Sequence, residues 1–214
     1  MTARTASSRT FDLTELGDAD VYKLLSCAVQ PRPIAWVSTV DGAGVRNLAP
    51  FSFFTVASRN PATLAVSIGE RIGFPGQDKD TLVNIRETGE FVVNIPSVDN
   101  AAAVTASFAT VEPHVDEFDL AGVTAIDSLQ VAVPSVQESL ISLECRLAQA
   151  VPLGTDTLVL GTVLAVTARH DAIDEHGYTD VSTGKWLARL AGPYYSNLTH
   201  SVHQGGGPDA GSFR

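Results

Sequence analysis

The 214-residue chain carries 14 Lys and Arg against 24 Asp and Glu, a formal net charge of −10, and it is 44% hydrophobic but only 18% charged. Neutralising a nucleic-acid backbone needs clustered cations, so this balance excludes a general nucleic-acid binder; a single anionic cofactor, held by a few cations and backbone amides, stays compatible with it. No run approaches the roughly 18 apolar residues that span a membrane, and a charged fraction below the roughly 25% usual in soluble domains predicts a surface either covered largely by uncharged groups or partly hidden by a partner chain.

The elements are taken in chain order. Met1 to Thr10 is polar without an apolar signal core, which predicts a flexible start and a cytoplasmic protein. Pro33 to Val40 is β-rich, Asp41-Gly42-Ala43-Gly44 supplies a turn, and Val45 to Ala49 returns as a strand. Phe51 to Ala57 and Ala62 to Ile68 read as further strands, punctuated by Asn60-Pro61. Asp80 to Glu87 reads as a helix with Asp80 as its N-cap, Leu82 and Ile85 on one face and Gly89 as its stop. Phe91 to Ile95 is a strand, and the Ala-rich Val98 to Phe108 is a helix with Asp99 in its first turn. Thr110 to Val136 reads as loop; Leu140 to Ala150 and Thr157 to Ala168 are long strands joined by a turn around Gly154. Short turns between strands predict a mainly β fold, a β-barrel with helical insertions, and the βα alternation of a doubly wound sheet is missing. The segment from Gln204 to Arg214, with Gly205-Gly206-Gly207-Pro208, reads as a flexible tail.

Conventional catalytic signatures are absent: there is no G-x-S-x-G, H-E-x-x-H, Walker sequence or strand-linked G-x-G-x-x-G. Cys27 and Cys145 have no CxxC neighbour, which argues against a disulfide framework or zinc cluster and for a reducing compartment. His200 and His203 have metal-like spacing without nearby acid or thiolate ligands, while His114, His170 and His176 are isolated. No metal is expected.

Three stretches carry the densest signal: Pro31-Arg32-Pro33-Ile34-Ala35, Asn47-Leu48-Ala49-Pro50-Phe51-Ser52-Phe53-Phe54, and Lys79-Asp80-Thr81-Leu82-Val83-Asn84-Ile85. With Ser142-Leu143-Glu144-Cys145-Arg146 and Gly192-Pro193-Tyr194-Tyr195, their order and spacing over roughly Ser26 to Ser196 resemble the flavin reductase-like family of FMN-binding split barrels. That family includes reductase components of two-component monooxygenases and flavoredoxins. The resemblance implies a Greek-key antiparallel barrel over residues 11–203, between a flexible start at 1–10 and a Gly-rich tail at 204–214. It also implies FMN as cofactor, NADH or NADPH as co-substrate, a homodimer and a possible monooxygenase partner.

Residue by residue, Ala49, Pro50, Phe51, Ser52, Phe53 and Phe54 would flank the flavin ring, small side chains letting backbone amides approach it. Periodicity alone favours a plain core strand there, and the resemblance reverses that balance. Lys79, Thr81 and the amides opening the helix at Asp80 would hold the phosphate, with Asn84 one turn on and Ser67 and Arg71 as further candidates. Alone, the same segment reads as an ordinary capped surface helix with a solvated Lys. Arg32, stiffened by flanking prolines, either meets a flavin or nicotinamide-side phosphate or pairs with a carboxylate at a subunit boundary. Asn47 either orients the flavin's polar edge or ends a hairpin, Trp36 reads more strongly as core, and Tyr195 would approach the cofactor from another face. No catalytic side chain is needed, because two cofactors exchange the hydride. An FMN-dependent oxidoreductase of an organic substrate and a non-catalytic FMN-binding electron carrier are the alternatives, and the chain lacks a clear nicotinamide-binding signature.

Overall fold

The computed structural model describes residues 8–174, 176–179, 183 and 185–199; His200, His203 and the Gly-rich segment lie outside the described residues. Seven strands form one antiparallel sheet: β2 (Ala35–Val40), β3 (Arg46–Phe51), β4 (Phe54–Arg59), β5 (Ala62–Gly69), β6 (Glu90–Ile95), β9 (Ile141–Leu153) and β10 (Asp156–Ala168). Their spatial order is β3-β2-β6-β9-β10-β5-β4. β3 and β4 therefore stand at opposite edges, yet only residues 52 and 53 separate them in the chain. Laid flat, six inter-strand spacings would part those edges by about 29 Å, whereas the link reaches about 11 Å at full stretch. The sheet must curl until its edges meet. No ladder joins β3 to β4, so the barrel stays open along that seam.

Pleat alternation divides the core into an inside and an outside layer. On β2, Ala35 and Val37 point into the barrel with Phe51, Val66, Ile68, Phe91, Val93 and Val159, and α2 (Asp80–Thr88) adds Leu82 and Ile85. Ile34 and Trp36 face the other way, packing with Leu48 against Val104 of α3 (Ala101–Ala106) and Phe118 of α4 (Glu117–Ala121). Trp36 is fully buried there and its indole N–H donates to Ser107 Oγ at 2.8 Å, as a core residue would. Two minor sheets complete the fold. β7 (Ala125–Ile126) pairs with β8 (Ser135–Val136), and β1 (Arg32–Pro33) is joined by β11 (Leu187–Arg189) and β12 (Tyr195–Asn197).

Several local expectations are corrected. Helix α1 (Asp18–Ala28) was not expected, although Val21, Leu24, Leu25 and Ala28 stand at i, i+3, i+4 and i+7; of its residues only Ser26 is buried. The strand expected over Phe51 to Ala57 breaks at Ser52-Phe53, where the chain crosses the seam. Val98 to Phe108 opens with a 3-10 turn at Val98–Asn100, closed by a Ser97–Asn100 capping box, before α3 begins. The expected loop from Thr110 to Val136 contains α4, β7 and β8. Lys79, not Asp80, holds the N-cap position of α2. Cys27 is exposed and Cys145 buried, and both are free thiols.

Gly161 marks the tightest point inside the barrel. A Cβ built there would drive into the ring of Phe91, within 2.9 Å of Cε1, and lie 3.3 Å from Cys145 Cβ. Phe91 is 1% exposed and has no room to yield. Gly161→Ala is expected to cost about 1–3 kcal/mol by overpacking, read as a lowered midpoint in chemical denaturation with an unchanged slope.

Candidate functional site

The seam and the start of α2 frame two adjoining cavities that share Pro50 and Phe108 as a common wall. One is a narrow polar cleft lined by Asn47, Ala49, Arg71, Lys79, Asp80, Thr81 and Glu117, with residues 107–111 along its rim. The other is larger, about 290 Å³, and mostly apolar: Tyr22, Ile34, Phe51, Ser52, Val104, Pro193 and Tyr195 line it, with Arg189 as its charged member. β3 borders both because it is an edge strand whose outer backbone groups have no ladder partner.

In the polar cleft, Arg71 Nη1 donates to both Asp80 carboxylate oxygens, at 3.1 and 3.0 Å, and Nη2 donates to the Val111 carbonyl. Lys79 differs. Its ammonium lies 6.0 Å from the Phe108 ring centroid and has no hydrogen bond or ion pair among the described residues. Burial lowers its pKa and Arg71 adds to that, while Glu117 and Asp80 oppose. No side chain caps α2; the Leu82 N–H donates to the Lys79 carbonyl at 2.9 Å, which leaves the Asp80 and Thr81 amides without an acceptor among the described residues. A free ammonium beside free helix amides is the donor set an oxyanion such as a phosphate requires.

Behind this surface runs a buried polar chain. Asn84 Nδ2 donates to Thr39 Oγ1 at 3.1 Å, and Thr39 Oγ1 donates to Asn47 Oδ1 at 3.2 Å. Thr81 Oγ1 donates to the same Asn47 oxygen at 2.8 Å. Asn47 Nδ2 and the Leu48 N–H, the latter at 2.6 Å, both donate to Glu117 Oε2. The Thr81 hydroxyl hydrogen is thus committed inward, leaving its backbone amide for a ligand. Glu117 is 5% exposed, and burial pushes its pKa up to about 7, with the Leu48 N–H opposing.

Of the residues singled out in the sequence, Asn47, Ala49, Pro50, Phe51, Ser52, Arg71, Lys79, Asp80, Thr81 and Tyr195 line one cavity or the other. Five do not. Arg32 is buried as a structural tie, donating to the carbonyls of Ser26, Val29 and Leu190 and to Ser52 Oγ, with no carboxylate partner among the described residues. Phe53 packs at 6.0 Å from Tyr22, and Phe54 against the barrel core. Ser67 sits 3.5 Å from Asp156, and Asn84 belongs to the buried chain. Glu117, Arg189, Phe108 and Tyr22 were not read from the sequence. Glu117 had a signal: Asp116 caps α4 by accepting from Phe118 N–H, an Asp-then-acidic helix start inside a stretch read as loop. Arg189 reaches the apolar cavity because β11 and β12 fold back onto β1, and its guanidinium lies 4.6 Å from the Tyr195 ring centroid.

Comparison with known proteins places this architecture. Residues 28–185 match the family model described as flavin reductase like domain. Nitrilotriacetate monooxygenase component B from Bacillus cereus superposes with a TM-score of 0.87 at 33% identity, covering 92% of this chain and 99% of its own. The 2-nitrobenzoate 2-nitroreductase of Pseudomonas fluorescens follows at 0.83 and 27% identity, covering 95% and 100%. An uncharacterized protein of Aquifex aeolicus is 35% identical over 185 residues, 86% of this chain and 93% of its own. The barrel with an open seam is the split barrel expected from the sequence.

The raised Glu117 pKa has a direct stability consequence. Its ordinary value is 4.5 and its folded value about 7, so its contribution is complete below pH 4.5 and is lost as pH rises through 7, about 3 kcal/mol at most. Denaturation of wild type and Glu117→Gln between pH 5 and 8 is expected to show the variant gaining on wild type as pH rises. Parallel profiles would contradict the assignment.

Proposed function

The chain belongs to the flavin reductase like domain family, and from that premise we propose that it binds FMN across the two adjoining cavities and reduces it with NADH or NADPH. The observation that carries this reading is the juxtaposition itself. A cleft with an unpaired ammonium and open helix amides suits a phosphate, and it shares a wall with an apolar, aromatic cavity large enough for a ring system. The donor set fits the cofactor. When bound, FMN supplies the two-electron chemistry, so the protein needs no acid or base at the reacting atoms.

The chain's own groups bind and orient. Lys79 and the α2 amides hold the anionic end, while Arg71 is kept in place by Asp80. Pro50 and Phe51, at the end of β3, and Ser52 in the link after it present backbone to the ring's polar edge, and Tyr22, Phe108 and Tyr195 exclude water around it. The reading extends to a homodimer, which would cover part of a surface drawn from a chain only 18% charged. It extends also to delivery of reduced FMN to a monooxygenase, supported by the likeness to nitrilotriacetate monooxygenase component B.

A second reading, direct reduction of an organic substrate on bound FMN, is favoured by Arg189. Its guanidinium has no acidic partner among the described residues and opens on the apolar cavity, where it suits an anionic ring compound. The likeness to a nitroreductase agrees with it.

Turnover separates the two. With free FMN added, NADH or NADPH oxidation that rises with FMN concentration to saturation is expected; oxidation only when a nitroaromatic acid is added would favour the second reading. Retention of yellow flavin without any nucleotide oxidation would overturn both in favour of a carrier. Lys79→Ala is expected to weaken FMN about 10- to 100-fold, the worth of a charged hydrogen bond, and to leave riboflavin unchanged in fluorescence titration. Equal losses for both ligands would remove the phosphate from this cleft.

A further inference from the structure

Glu117 stands in the wall of the cleft assigned above to the phosphate, where an ionised carboxylate would repel its ligand. Its two oxygens are not equivalent. Oε2 faces two groups that can only donate, the Leu48 N–H and Asn47 Nδ2. Oε1 has no partner among the described residues, and none of their buried side-chain oxygens or nitrogens is left without one. Oε1 is therefore not sealed in the interior; it opens on the cleft. Any proton on this side chain must sit on Oε1, because Oε2 is already met by two hydrogens.

The surrounding charges point the same way. From the loop after β5 comes Arg71 and from the start of α2 comes Asp80, and these two pair with each other. Lys79 is the remaining cation. On Glu117's own helix and its cap, Asp119 and Asp116 are tied to Arg46 of β3. An ionised Glu117 would cancel Lys79 and leave the cleft without net positive charge for an anion. A protonated one leaves Lys79 uncompensated and adds a donor.

We propose that Glu117 serves the anion cleft as a neutral carboxylic acid, its Oε1–H donating to a phosphate oxygen, so that affinity for a phosphate monoester depends on that proton. The inference rests on the FMN reading and deepens it: release of the cofactor is coupled to loss of one proton from the protein. Burial of Glu117, which holds its titration near neutrality, makes the coupling effective in the physiological range. FMN itself is mostly dianionic above pH 6.5, so its own ionisation contributes little there.

The test uses the full chain, with riboflavin as the ligand that lacks the phosphate. Dissociation constants for FMN and riboflavin are measured by flavin fluorescence between pH 6.5 and 8. With a folded pKa of about 7, the FMN constant is expected to rise about eightfold relative to riboflavin. Calorimetry at pH 7.5 in buffers of different ionisation enthalpy is expected to show proton uptake with FMN and none with riboflavin. Glu117→Gln places a permanent neutral donor near Oε1 and is expected to flatten the profile to less than about twofold while keeping FMN tight at pH 8. An FMN-to-riboflavin ratio that does not change with pH in wild type overturns the proposal alone, and so does an unaltered slope in Glu117→Gln, which would assign the dependence to Lys79. Failure of both flavins to bind at every pH overturns the FMN reading with it. The wild-type profile and proton uptake decide the matter even if the variant does not fold.

Discussion

The whole arrangement depends on a chain-length constraint. β3 and β4 belong to opposite edges of a seven-stranded sheet, and two residues join them. A link that short cannot cross a flat sheet, so the sheet curls and its edges converge at Ser52-Phe53. Convergence without a ladder leaves an open seam bounded by the free backbone of β3. The barrel interior is filled with side chains, Phe91 pressing against Gly161, so a ligand has no room inside. The seam and the surfaces beside it are where the fold admits one.

Three other segments complete what the seam begins. α2 brings an uncapped helix start and Lys79 to one end of β3, while α4 sets Glu117 beneath it. At the other end the C-terminal segment adds β11 and β12 to β1, placing Arg189 and Tyr195 over Pro50 and Phe51. The two ends differ in their physics. One is a cleft with a compact set of charges in partial burial, where each charge matters more than it would in water. The other is an aromatic-walled cavity in which shape and water exclusion dominate. A molecule with an anionic tail and a flat apolar head matches that gradient.

The buried chain from Asn84 through Thr39, Asn47 and Thr81 to Glu117 ties these parts together. Each member is hydrogen-bonded to at least one other, so the network fixes Asn47 and the Glu117 carboxyl as one unit. The Thr81 hydroxyl is part of this framework rather than of the ligand surface. Arg32 plays a comparable role beside Ser52, holding the end of α1 and the C-terminal segment through carbonyls and the seam through the Ser52 hydroxyl.

Strand identity along the chain was legible because alternation and turn residues are local signals: Asp41-Gly42, Asn60-Pro61 and Gly154 all punctuate strands where expected. The run from Asn47 to Ser52 was marked by the family resemblance, and its small and apolar residues do line the site. Helix α1 carries a short apolar stripe, Val21, Leu24, Leu25 and Ala28, but Gly17 at its N-cap gives no capping side chain to mark its start. Glu117 left only the Asp116 cap as a signal, because its five-residue helix is too short to show a period. The net charge of −10 excluded a polyanion but said nothing of the cleft, where four charged groups decide the matter. What the sequence determined by itself was the β-rich class and the positions of the strands; that Asn47 and Ala49 to Ser52 border the cavities is seen only in the fold. Which charges are paired and which are free was decided only by tertiary structure. Arg71 meets Asp80 nearby in sequence, but Glu117 meets Asn47 across 70 residues and Arg32 meets Leu190 across 158. Contacts that distant follow from how the sheet closes, and no local pattern of residues encodes them.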